Sequence, residues 1–256
     1  MKQIVHYKNG NSLSYSEYGD KNGFPILIQH GLIASIDDYD LFERLIQLGT
    51  HLICIARPGY GKSSPYILNK FAEWADIVAV LIDELKLSHF DILGMSSGAP
   101  FSYSIGYKFP DKARNIYIFS GIPALYNEKI LSLWPYEVKK NASIAEMENL
   151  AYELFFSHLS LEDLKKNAIK DSMLHNCFGI AQDLRLRFVD WGFNLSDIKE
   201  NVYMEHSKDD QNVPFITAAI TSDLLPHCIF KIRENGGHFS NEALDDFIRT
   251  VMVGFY

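Results

Sequence analysis

The stretch His89-Phe90-Asp91-Ile92-Leu93-Gly94-Met95-Ser96-Ser97-Gly98 decides the reading of this chain. A short apolar run ends in a Gly-x-Ser-x-Gly pentapeptide, and a plausible helix follows. On a sharp strand-to-helix turn of that kind, the Ser96 hydroxyl projects from the end of a sheet. Gly94 and Gly98 are both needed there, because neighbouring backbone crowds the bend. With 16 glycines in 256 residues the pentapeptide alone is a weak signal. Its surroundings carry the argument.

Those surroundings alternate between strands and helices. Residues 2–8 and 12–18 roughly alternate apolar and polar side chains around Asn9-Gly10-Asn11, which predicts an N-terminal hairpin. Short unalternating apolar runs recur at 25–29, 51–56, 89–94, 114–120, 201–206 and 227–232. Such runs suit strands covered on both faces. Between them, Phe71, Trp74, Ile77, Val78, Leu81, Ile82 and Leu85 mark one apolar helix face. Leu244, Phe247, Ile248 and Val251 mark another, with Ser240 available as N-cap. The expected class is α/β: a mostly parallel central sheet with helices on both faces.

Residues 123–197 break the rhythm. No buried-strand run occurs there. Ser143 and Glu146 form a capping-box pattern. Ile144, Met147, Leu150, Ala151, Leu154 and Phe155 then recur at helical spacing. Ser160 predicts a second short helix through Leu164, and a third candidate covers roughly 179–190. The stretch reads as a helical insertion, 123–197, into a core made of 1–122 and 198–256.

Composition narrows the function classes. Apolar residues make up 47% of the chain, as in a globular protein. A net charge of -8 argues against a phosphate-binding surface, so nucleic acid and anionic membranes are not expected partners. No 18-residue uncharged apolar run is present, and the first residues lack a signal peptide's long apolar stretch. The expectation is a soluble cytoplasmic protein. Cys54, Cys177 and Cys228 are far apart. Cys54 and Cys228 fall in expected strands and read as small buried thiols. No His/Cys/Asp/Glu cluster has metal-ligand spacing, so neither metal nor cofactor is expected. Gly61-Lys62-Ser63 invites a phosphate-loop reading, but Ala56 stands where that motif needs glycine. A tight turn rich in Gly and Pro is the better reading.

Four further features surround Ser96 in sequence order. Gln29-His30-Gly31-Leu32 follows one strand, and Arg57-Pro58-Gly59-Tyr60-Gly61-Lys62-Ser63 follows the next. Asp210-Gln211-Asn212-Val213-Pro214 follows a late strand, and Gly236-Gly237-His238-Phe239 the last. With these the chain resembles the α/β-hydrolase-fold family along nearly its whole length, in the form of a capped, esterase-like serine hydrolase.

The resemblance implies roles. Ser96 would be the nucleophile and His238 its base, since a serine hydroxyl is a poor nucleophile without one. A carboxylate would hold the imidazole tautomer. Asp209 and Asp210 compete for that part. The family pattern puts the acid three residues before Val213-Pro214, which selects Asp210. The backbone N–H groups of Leu32 and Ser97 would form the oxyanion hole, and His30 would orient the loop that carries Leu32. The other seven histidines, His206 among them, read as surface or packing residues. The insertion would be a lid whose aromatics, Trp134 and Phe155 among them, contact substrate. The chain lacks the His-Gly-Gly-Pro-Gly run of proline iminopeptidases, which argues against peptide cleavage.

The expected function is hydrolysis of a small carboxylic ester or related acyl compound. The alternatives are a C–C bond hydrolase acting on a keto-acid and a slow-turnover ligand-binding signalling protein. A small acyl substrate is the expected partner, and a homodimer is allowed.

Overall fold

The central parallel strands are largely buried, because helices cover both faces of the sheet they form. The structure, a computed structural model, describes residues 2–252. Its strands are β1 Gln3–Tyr7, β2 Asn11–Gly19, β3 Pro25–Gln29, β4 His51–Ile55, β5 Phe90–Met95, β6 Ala113–Phe119, β7 Asn201–Ser207 and β8 Cys228–Arg233. They make one eight-stranded sheet in the order β1-β2-β4-β3-β5-β6-β7-β8. The pairs β1/β2 and β2/β4 are antiparallel and the rest are parallel. The predicted hairpin and all six predicted runs are present, with ends shifted by a residue or two.

The period of two along each strand splits the interior into two cores. Leu27, Ile53 and Ile55 point to one face, where they meet Trp74, Ile77, Val78, Leu81 and Ile82 of helix α2, Ala72–Glu84. Ile26, Ile28, Leu52 and Cys54 point to the other, where they meet Leu45 of α1, Glu43–Gln47, together with the C-terminal Leu244 and Phe247. A one-residue slip of β3 or β4 would exchange these faces, so both cores fix the register. Helix α3, Ala99–Lys108, follows β5 and packs on α2. Beyond β7 come α7, Phe215–Asp223, and α8, Asn241–Phe247, the latter capped by Ser240, which accepts from the Ala243 N–H at 3.1 Å.

Between β6 and β7 lie α4, Glu128–Leu131, α5, Ile144–Phe155, and α6, Asn167–Leu186. The capping box at α5 is present, with Ser143 and Glu146 bonded reciprocally. Two expectations need correction here. Ser160 does not open a helix; it bonds Asp163 and starts a single 3-10 turn. The third helix starts far earlier than residue 179 and is interrupted at 174–177, where His175, Asn176 and Cys177 take φ of 54°, 57° and 63°. The polar run before Phe178 hides the first half of α6 from an apolar-periodicity reading. Cys228 is also only half-buried, because β8 is an edge strand.

Every loop with chemistry leaves the carboxyl end of a parallel strand. That is where open α/β sheets place their ligands. Among the described residues, no helix is long and apolar enough to cross a membrane.

Candidate active site

Ser96 sits in a backbone conformation that few residues adopt. Its φ is +48°, between the last residue of β5 and the N-terminus of α3. The crowding expected at this bend is severe. A Cβ on Gly94 would fall 2.2 Å from Ser102 Oγ, and one on Gly98 would fall 2.1 Å from the Gln29 carbonyl oxygen. Strain of this kind persists only where the surroundings over-determine it, and it gathers at functional sites.

The loops after β7 and β8 bring Asp210 and His238 to the serine. His238 Nε2 lies 2.8 Å from Ser96 Oγ, and His238 Nδ1 lies 2.8 Å from Asp210 Oδ2. With Nδ1–H donating to the carboxylate, Nε2 is left to accept the serine proton. Asp209, the competing carboxylate, faces away from the ring. It accepts from Ser207 Oγ at 2.5 Å and from the Gly236 and Gly237 N–H groups at 3.3 and 2.9 Å. It therefore ties down the glycine loop that presents His238.

Asp210 is buried and well supplied with donors. The Asn212 and Val213 N–H groups donate to Oδ1 at 2.8 and 2.9 Å. His206 is completely buried, with Nε2 3.0 Å from Asp210 Oδ2 and 2.9 Å from the Val213 carbonyl. A carbonyl can only accept, so Nε2 carries the proton. Burial alone would raise the Asp210 carboxyl. Hydrogen bonds from His206 and His238, with the charge of His238, outweigh it and hold the group well below the usual carboxylate range. His206 reads as packing from sequence alone, because a histidine inside an apolar strand carries no motif.

Leu32 lines the same cavity as Ser96, and Ser97 lies in the turn between β5 and α3. His30 is buried and accepts at Nε2 from the Arg57 N–H at 3.3 Å, while Nδ1–H donates to the Gly31 carbonyl at 2.7 Å. Burial, with the Arg57 charge, drives its pKa well below the usual value and keeps it neutral. A neutral ring in that tautomer fits a structural part rather than that of a base.

A cavity of about 870 Å³ opens above Ser96 and His238. Trp134 and Phe155 both lie in its wall, with Met147, Leu150 and Leu154 from α5. The apolar stripe of α5 thus faces the cavity more than the core, which explains why Leu154 is 54% exposed although it is in phase with that stripe. Ile28, Phe42 and Met95 form the floor. Arg187 is the feature the sequence reading missed. Its Nη2 donates to Ser97 Oγ at 2.7 Å, and the side chain lines the cavity. Burial lowers its guanidinium to about 10, against the pull of Asp183, so it remains charged at neutral pH. The signal was available: Leu184, Arg187 and Phe188 share one helical face, and an arginine on an apolar face needs a reason. Among the described residues, no group of three or more His, Cys, Asp or Glu side chains could hold a metal ion.

The α/β hydrolase fold family model matches residues 25–242. The chain belongs to this family. It is an α/β-fold hydrolase. An uncharacterized hydrolase of Bacillus subtilis is 27% identical over 114 residues, covering 44% of this chain and 39% of that protein. A 2-hydroxy-6-oxo-2,4-heptadienoate hydrolase of Pseudomonas putida is 22% identical over 90% of this chain and 88% of its own length. Among solved structures, an esterase from Exiguobacterium antarcticum superposes with a TM-score of 0.76 at 20% identity, over 98% of this chain and all of that one. At that identity the likeness is one of fold.

Proposed function

We propose that this α/β-fold hydrolase cleaves a small carboxylic ester or related acyl compound through an acyl-enzyme on Ser96. One observation carries the reading: the unbroken chain of 2.8 Å contacts from Ser96 through His238 to Asp210 at the base of a largely apolar cavity. His238 Nε2 takes the serine proton as Oγ bonds to the substrate carbonyl carbon. The carbonyl oxygen becomes an oxyanion, which the Leu32 and Ser97 N–H groups stabilise. The tetrahedral species then collapses, the bond to the alcohol oxygen breaks, and His238 returns the proton to that oxygen. Water, deprotonated by His238, attacks the acyl carbon and releases the acid with Ser96 restored. Asp210 stays ionised throughout and holds the imidazolium.

The stretch 123–197 acts in this reading as a cap over a core of 1–122 and 198–256, with Trp134 and Phe155 on the substrate. Location in the cytoplasm is part of the proposal, supported by the acidic net charge.

A second reading, C–C bond cleavage of a keto-acid, is favoured by Arg187. A charged guanidinium beside the nucleophile, in a cavity otherwise mostly apolar, suits a substrate carboxylate. The test is turnover of p-nitrophenyl acetate and butyrate set against a 2-hydroxy-6-oxo-dienoate. Steady ester turnover, absent from Ser96→Ala, is the expected result. Turnover of the dienoate alone would move the assignment to the second reading. A single burst leaving a stable acyl adduct would instead make the protein a ligand-binding one.

A further inference from the structure

Three consecutive carbonyls of the loop after β3 have donors from one buried cluster. Arg57 Nη1 donates to the His30 carbonyl at 2.6 Å and Nη2 to the Gly31 carbonyl at 2.9 Å. The Tyr60 hydroxyl lies 2.8 Å from the Leu32 carbonyl and 3.0 Å from Asp183 Oδ2. Asp183 comes from α6, on the far side of the sequence, and binds the Arg57 guanidinium at Nη2, 2.6 Å, and Nε, 3.2 Å. Arg57, Tyr60 and Asp183 are all at most 2% exposed.

The consequence lies in one peptide bond. The Gly31 carbonyl and the Leu32 N–H belong to the same planar unit, and in a trans peptide they point in opposite directions. Arg57 Nη2 and His30 Nδ1 both hold the Gly31 oxygen on one side. The Leu32 N–H is thereby turned to the other side, where Leu32 borders the cavity above Ser96. A flip of this peptide would replace a donor with a carbonyl at the place where negative charge develops.

The contact between α6 and the Arg57 loop leaves little play. Gly59 has φ +84°, and a Cβ there would fall 2.4 Å from the Phe178 ring and 2.7 Å from the Gly179 nitrogen. One on Gly179 would fall 2.4 Å from the Tyr60 ring. The two segments meet backbone to backbone, which sets the Asp183 carboxylate against Arg57.

We infer that Asp183, contributed by the cap, is a positioning residue: through Arg57 it fixes the peptide joining Gly31 to Leu32, through Tyr60 it holds the Leu32 carbonyl that follows, and so it presets one donor of the oxyanion hole. The inference rests on the hydrolase reading above.

Removing one partner alone would strand a buried charge and confound stability with activity. The double variant Arg57→Met/Asp183→Leu removes both charges together, a change that folded proteins often tolerate. Its kcat on p-nitrophenyl butyrate is expected to fall roughly 100-fold, the lower end of what losing one oxyanion donor costs. KM is expected to stay within about threefold, because the lost contact matters mainly in the transition state. Affinity for phenylboronic acid, which forms a tetrahedral anionic adduct on the serine, should fall with kcat. A folded double variant with wild-type kcat and boronate affinity overturns the inference, because a merely structural pair would leave both unmoved. If the double variant does not fold, Tyr60→Phe decides. It deletes one hydroxyl and keeps the ion pair, and a fall of about tenfold in kcat is expected. An unchanged kcat there also overturns it. The wild type run alongside separates the two claims. If it neither turns over the ester nor binds the boronate, the hydrolase reading fails and the inference with it. If it does both beside a fully active variant, the inference alone fails.

Discussion

At the scale of single residues, the two adjacent aspartates show how position divides labour. Asp210 faces the His238 ring, while Asp209 holds the backbone of the loop that carries that ring. Their neutral variants should therefore differ. Asp210→Asn is expected to cost about ten-thousandfold in kcat, as a lost orienting carboxylate does in serine proteases. Asp209→Asn keeps an acceptor for Gly237 and should cost about threefold or less. Esterase assays on both variants check the ranking, and the reverse order would move the acid to Asp209. The same substitution has a signature in stability. The folded state holds the Asp210 carboxyl below its unfolded value, so its contribution is present above about pH 4 and is lost as pH falls further. Thermal melts of the wild type should drop more steeply with acid than those of Asp210→Asn.

At this scale the sequence is legible where a residue sits in a motif and silent where it does not. Ser96, His238 and Asp210 were readable because turn glycines and the Val213-Pro214 offset frame them. His206, Arg187 and Asp183 were not. Each lies inside a regular strand or helix, and its importance comes from a contact with a residue distant in sequence or on another loop. Asp183 lies 126 residues from Arg57, and nothing local records that pairing.

At the scale of elements, the strands were the most readable parts. Their apolar runs are continuous because both faces are covered, and the two cores then require the register observed. The helices between β6 and β7 were harder. A helix that lines a cavity shows an apolar stripe like one that packs on a core, so periodicity cannot tell α5's two duties apart. The stripe's content should set substrate choice. Trp134→Ala and Phe155→Ala are each expected to shift the preferred p-nitrophenyl ester length by one or two carbons. The change should be moderate, because a matched methylene is worth only about 1–3 kcal/mol. Reaction of Ser96 with a small phosphonate should persist in both. An unchanged length profile in both folded variants would mean that these aromatics only pack.

At the scale of the whole molecule, the sheet acts as a common base for loops that are far apart in sequence. The loops after β3, β4, β5, β7 and β8 converge at one edge, and the helical stretch between β6 and β7 adds the upper wall of the cavity. We propose that this convergence makes Ser96 an activated nucleophile. Treatment with a fluorophosphonate, followed by intact-mass measurement and peptide mapping, is the decisive experiment. A single covalent adduct is expected on Ser96 of the wild type, with none on Ser96→Ala and little on His238→Ala. Adduct formation on Ser97 or another residue, or equal labelling of the Ser96→Ala variant, would contradict it.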